Sequence, residues 1–265
     1  MSRKKMEEKI VEKSNLQQLK GYVRNIEDNL IDGVDLSLFH NDLMQGSGNE
    51  LISKFNAVFS SSALAVNNFA IVKKHKDIFS FLGYSGFTEA TFERQFKTGL
   101  KGTPPNIDFV IENDEVIIAF ESKYLELLNE KEVQFKESYN ADNLDYLNKF
   151  WLDSIKSING TKLNLDTAQL IKHSIGLLNY QSKIANGKSK KIILVYIYWT
   201  PNNFENFPIY KKHSDEISEF ANSLKNQHEI EFKSITYNEF WNLYNEPSMF
   251  KEHFDKLKNR YSIDI

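Results

Sequence analysis

The sequence predicts an α/β fold, with a central mixed β-sheet flanked by helices and a helical N-terminal extension ahead of it. Three observations carry this prediction. Residues 191–200, KIILVYIYWT, form a nearly continuous apolar run suited to a strand covered on both faces. Residues 106–112 and 116–123 are two further strand patterns joined by the polar pair Asn113-Asp114. Segments with apolar residues at helical spacing alternate with these strands, the order expected of helices packed on a sheet.

The elements follow in chain order. Over residues 4–31, Met6, Ile10, Val11, Leu16, Leu19, Val23 and Ile26 predict a helix, ended by Asp32-Gly33. After Gly46 a second helix is predicted to open at Ser47. Its stripe of Leu51, Ile52, Phe55, Val58 and Phe59 continues through Ala63, Val66 and Phe69. Residues 88–96 read as a strand. Residues 126–158 are mixed, with Phe150 and Trp151 fitting a helix core better than a nucleic-acid stacking surface. A helix over 166–180, the 191–200 strand, a helix over 214–226, a strand over 229–236 and one or two short helices over 238–259 complete the chain. With no internal repeat and no low-complexity linker, the predicted organisation is an extension over 1–45 and one domain over 46–265.

Composition narrows the function classes. A net charge of −3 argues against a protein that coats nucleic acid non-specifically, yet allows an acidic metal site beside a basic groove. No apolar stretch is long enough for a membrane span. The charged start, MSRKKMEE, lacks the apolar core of a secretory signal, and cysteine is absent. A cytoplasmic protein is expected, without disulfides or cysteine nucleophiles. Gly187-Lys188-Ser189 resembles the end of a phosphate loop, but Ser182 stands where the first glycine belongs and a strand follows.

The chemistry concentrates where the pentamer Val116-Ile117-Ile118-Ala119-Phe120 runs directly into Glu121-Ser122-Lys123. A two-residue loop at Asn113-Asp114 sets Asp108 opposite Ala119; a four-residue loop keeps the same faces. Either way Asp108, Glu121 and Lys123 share one face, with the two carboxylates about 7–8 Å apart at the backbone and closer at their tips. Two converging carboxylates suit a hard cation such as Mg²⁺, and an adjacent ammonium suits a phosphoryl group. The competing reading is a salt-bridged sheet end. Glu93 reads either as a further acid reaching this site or as an exposed strand charge.

Asp108 followed by Glu121-Ser122-Lys123 after an apolar strand resembles the PD-(D/E)XK nuclease superfamily, the restriction-endonuclease-like fold. The Ser-rich helix before it further resembles a bacterial restriction-endonuclease-like group. The match covers about residues 45–200 and departs in one respect: Ile107, not proline, precedes Asp108. The resemblance implies Mg²⁺, with Mn²⁺ as substitute, held by Asp108, Glu121 and the Ser122 backbone carbonyl, and Lys123 assisting phosphodiester hydrolysis. It also implies a further acid from the preceding helix, Glu50, although Ser47-x-x-Glu50 equally fits a capping box. A later helix carrying Gln169 and His173 is implied to flank the site. The expected activity is cleavage of double-stranded DNA by a homodimer in restriction or phage defence. A DNA-binding or assembly subunit without chemistry, or a structure-specific repair or RNA nuclease, are the other readings.

Overall fold

The structure is a computed structural model that describes residues 2–45, 54–183 and 189–265. A five-stranded sheet in the order β1-β2-β3-β6-β7 forms its centre. The strands are β1 Glu89–Gln95, β2 Asn106–Glu112, β3 Val116–Lys123, β6 Lys191–Tyr198 and β7 Glu231–Thr236, and a small ribbon of β4 Lys131–Glu132 with β5 Lys162–Leu163 lies apart. β1, β2 and β3 run antiparallel, whereas β3, β6 and β7 are parallel. Strand β3 is therefore central and buried along its whole length, which is why its sequence is an unbroken apolar run up to Glu121.

Helices cover both faces. On one side lie α1 Arg3–Lys13, α2 His40–Gln45, α3 Ser61–Lys74, α7 Tyr237–Asn242 and α8 Met249–Tyr261, packed on Phe109, Ile118, Phe120 and Val195. On the other lie α4 Lys149–Ile158, α5 Thr167–Ser182 and α6 Pro208–Ser223, packed on Val110, Ile117, Ala119 and Leu194. Trp151 is fully buried in this second core, as expected of a packing residue.

The predicted helix over 4–31 is shorter than its pattern implies. α1 ends at Lys13, and Ser14 turns the chain out, its hydroxyl accepting from the Leu16 N–H at 3.2 Å in place of a helical bond. Val23 and Ile31 still reach the core from irregular chain, so burial rather than helicity produced the apolar spacing. The helix start at Ser47 lies outside the described residues. Leu51 and Ile52 of the stripe lie outside them too; Phe55, Val58 and Phe59 sit in turns, and α3, which carries Ala63, Val66 and Phe69, begins only after Ser60, whose hydroxyl accepts from the Ala63 N–H at 3.2 Å. The helix expected over 214–226 starts earlier, at Pro208, because proline in the first turn needs no N–H partner.

The β2–β3 register differs from that of a two-residue hairpin by two residues, as a four-residue loop requires. Phe109 pairs with Phe120 and Glu112 with Ile117, so Ala119 faces Val110 rather than Asp108. The Asn113 side chain makes the longer turn by accepting from the N–H groups of Glu115 (2.9 Å) and Val116 (3.0 Å).

Candidate functional site

Strand β1 changes faces near its middle. Ala90 and Phe92 pack in the first core, but Phe96 packs in the second; on β2, Phe109 and Ile107 divide the same way. The reversal falls at Glu93, whose φ of 52° lies in the left-handed region. Register pairs Phe92–Phe109 and Arg94–Ile107 bracket Glu93 and Asp108, so these two acids sit opposite each other where the ribbon rolls over. Pairing of β2 with β3 stops at Phe109–Phe120, and the Ser122 N–H finds the Asp108 carboxylate instead, donating to Oδ2 at 2.7 Å. Divergence of the two strands thus opens a cavity of about 580 Å³, lined by Glu93, Asp108, Glu121, Lys123, Glu126 and Gln169 among others.

Glu121 and Lys123 are nearly buried, and buried charges require partners. The Lys123 ammonium pairs with Glu121 Oε1 and donates to Gln169 Oε1 at 2.9 Å. Glu121 Oε2 meets His173 Nε2 at 2.8 Å. Gln169 and His173 are four residues apart on α5 and so project from one side of it. The helix is fixed at its start by Asp166, which accepts from the Gln169 N–H at 3.1 Å.

The three charged groups occupy different electrostatic positions. Burial alone would raise the Glu121 carboxyl, but Lys123 and His173 outweigh it and bring the pKa down to about 2. Burial would lower the Lys123 pKa, but Glu121, Asp108 and Glu126 outweigh it and hold the ammonium charged. Asp108 goes the other way. Burial, then the charges of Glu121 and Glu93, push its carboxyl well above the usual range, and Lys123 and the Ser122 N–H only partly oppose them.

The structure brings Asp108, Glu121, Lys123, Gln169 and His173 together. Glu93 joins them at the cavity, and Asn106 donates to its Oε2 at 2.6 Å. Glu50 lies outside the described residues. Among the described residues no group of three or more His, Asp or Glu side chains could hold a metal ion. Two hard oxygen donors are present, from Asp108 and Glu121, and Mg²⁺ takes one or two carboxylates with water and phosphate completing its shell. Beyond the cavity, Lys190 pairs with Glu112 at 3.0 Å and Lys191 with Glu231 at 2.6 Å. Glu126 was missed from the sequence; its Oε2 accepts from the Tyr124 N–H at 2.7 Å while it also lines the cavity. Its one signal was its place three residues beyond Lys123, where the chain must turn out of the sheet.

No helix among the described residues is long and apolar enough to cross a membrane. Searches of curated proteins and of solved structures each gave no match. A family model described as "Restriction Endonuclease associating with ARP" matches residues 4–262, nearly the whole chain, and the protein belongs to that family.

Proposed function

We propose that this member of the restriction-endonuclease family is a divalent-metal-dependent endonuclease that hydrolyses DNA phosphodiester bonds, in a restriction or phage-defence role. The observation that carries the reading is the wall formed by Asp108, Glu121 and Lys123 on adjoining strands, open to a cavity of about 580 Å³. Asp108, Glu121 and the Ser122 carbonyl would hold Mg²⁺, or Mn²⁺ in its place, with Glu50 as a further ligand. Such an ion, when bound, polarises a phosphoryl oxygen and lowers the pKa of water.

The chain's own groups have separate tasks. His173 fixes one oxygen of Glu121 and orients the carboxylate towards the cavity. Gln169 holds the Lys123 ammonium, which can offset the charge that builds on the phosphate as the bond breaks. Cutting both strands of a duplex calls for two such sites, so the proposed active form is a homodimer on double-stranded DNA, in the cytoplasm. The family's description adds association with ARP as a partner.

Supercoiled plasmid incubated with the protein and Mg²⁺ or Mn²⁺ is expected to convert to nicked and linear forms. EDTA should stop the conversion and excess metal restore it. DNA binding with neither cleavage nor calorimetric metal binding would make the chain a DNA-binding subunit and end the nuclease reading.

A second prediction follows from the raised Asp108 carboxyl. A cation there must displace the proton, so Mn²⁺ affinity measured by calorimetry should rise with pH by up to about tenfold per unit while Asp108 is protonated, then level off. Asp108→Asn should flatten this dependence. A flat profile in the wild-type protein would remove Asp108 from the ligand set.

A further inference from the structure

The N-terminal segment reaches the same cavity through a small, rigid hairpin. Leu19 and Tyr22 exchange backbone hydrogen bonds of 2.8 and 3.1 Å around Lys20 and Gly21, whose φ values of 53° and 86° are those of a tight two-residue turn. The turn is seated on the chain leading into α3. The Val58 N–H donates to the Gly21 carbonyl at 3.0 Å, and the Val23 N–H to the Asn56 carbonyl at 2.9 Å. Gly21 is required twice over, because a Cβ there would also lie 2.9 Å from Val11 and 3.2 Å from Phe59.

This scaffold presents one side chain to the site. Tyr22 lines the cavity that holds Asp108, Glu121 and Lys123, and its ring meets Phe59 edge-on at 6.1 Å. It nevertheless stays 47% exposed. Arg3, paired with Glu7 at 2.9 Å, Lys131, paired with Asp166 at 2.6 Å, and Lys54 line the same cavity. A fixed, half-exposed aromatic ring beside a phosphate-handling centre and among cations is the arrangement that binds single-stranded nucleic acid, with base on ring and phosphates on cations.

We infer that Tyr22 is a substrate-contacting residue whose ring stacks on an unpaired nucleobase beside the scissile phosphate. The inference rests on the nuclease reading above and makes the preferred substrate a DNA strand with an unstacked base at the cut. It also gives the N-terminal segment a part in the active cleft.

The test uses the full chain with a short fluorescein-labelled single-stranded DNA in EDTA, followed by anisotropy, and KM and kcat for cleavage of the same strand with Mg²⁺. Tyr22→Phe should bind as wild type does. Tyr22→Leu, which keeps an apolar contact with Phe59, should bind about tenfold more weakly, and raise KM more than it lowers kcat. In Tyr22→Trp, the emission of the new exposed indole should be quenched when the strand is added. If wild type cuts and Tyr22→Leu matches its affinity and KM, the inference fails while the nuclease reading stands. Should wild type bind the strand tenfold more tightly than Tyr22→Leu while cutting neither it nor plasmid, the nuclease reading fails and Tyr22 remains a stacking residue. If wild type does not bind the strand, the inference fails, and the nuclease reading falls with it only if plasmid is also left uncut.

Discussion

Asp108→Asn is expected to reduce metal-dependent cleavage on the order of 10³-fold while raising, not lowering, the melting temperature of the metal-free protein. The two effects share one cause. Burial, and then the Glu121 and Glu93 charges, hold the Asp108 carboxyl well above its ordinary range in the folded chain. Such a group stabilises the fold fully below the unfolded carboxylate pKa and loses that contribution as pH rises through the raised folded value. Asparagine keeps the shape, can still accept from the Ser122 N–H, and has no charge to develop. Lys123→Met should abolish cleavage to a similar degree but with the opposite effect on stability. It strips one partner from a buried carboxylate whose pKa of about 2 depends on it, leaving His173 alone with Glu121. Removing one member of a buried ion pair costs about 3–5 kcal/mol. Plasmid cleavage and thermal melts without metal, run side by side, read both variants. Equal cleavage by Asp108→Asn and wild type would remove the carboxylate from the chemistry, and a lower melting temperature would show that its charge is structural.

The hairpin was legible because it is local. Asp108, the polar turn and Glu121-Ser122-Lys123 lie within one short stretch, where strand alternation alone sorts side chains onto faces. The turn length was not fixed by composition, since the Asn113 side chain decides it through two hydrogen bonds; the faces survived because the shift moved each partner by two. Gln169 was reached through the family resemblance. Its bond to Lys123 depends on how α5 crosses the sheet, which no local pattern encodes. The position of Glu93 stayed open between two readings for a different reason. A left-handed glutamate inside a strand leaves no mark in the apolar pattern except that Phe92 and Phe96 pack on opposite faces. The N-terminal segment misled most, because its irregular chain buries Val23 and Ile31 at intervals that imitate a helix.

The crossing of α5 depends on one residue far from any charge. Gly176 lies three residues beyond His173 and seven beyond Gln169, on the same side of the helix. A Cβ at this position would stand 2.4 Å from the Phe96 carbonyl oxygen and 3.0 Å from the Phe96 Cβ. Replacing a helical glycine with alanine normally gains up to about 1 kcal/mol. Here the obstacle is backbone of the residue that follows β1, which cannot swing aside like the end of a long side chain, so the clash outweighs the gain. Gly176→Ala should destabilise the protein by about 1–3 kcal/mol, in the range of overpacked cores. Its larger effect falls on the site, because relief comes from lifting α5 away from the sheet, and Gln169 and His173 move with it. A displacement of about 1 Å in a group that positions reacting atoms can cost about 10²-fold in rate. The variant should therefore remain folded by circular dichroism, melt a few degrees lower, and cleave plasmid about a hundredfold more slowly. The loss should persist at saturating metal, since Asp108 and Glu121 stay on their strands. Full cleavage by folded Gly176→Ala would show that Lys123 and Glu121 work without the support of α5, and would leave Gln169 and His173 as packing residues.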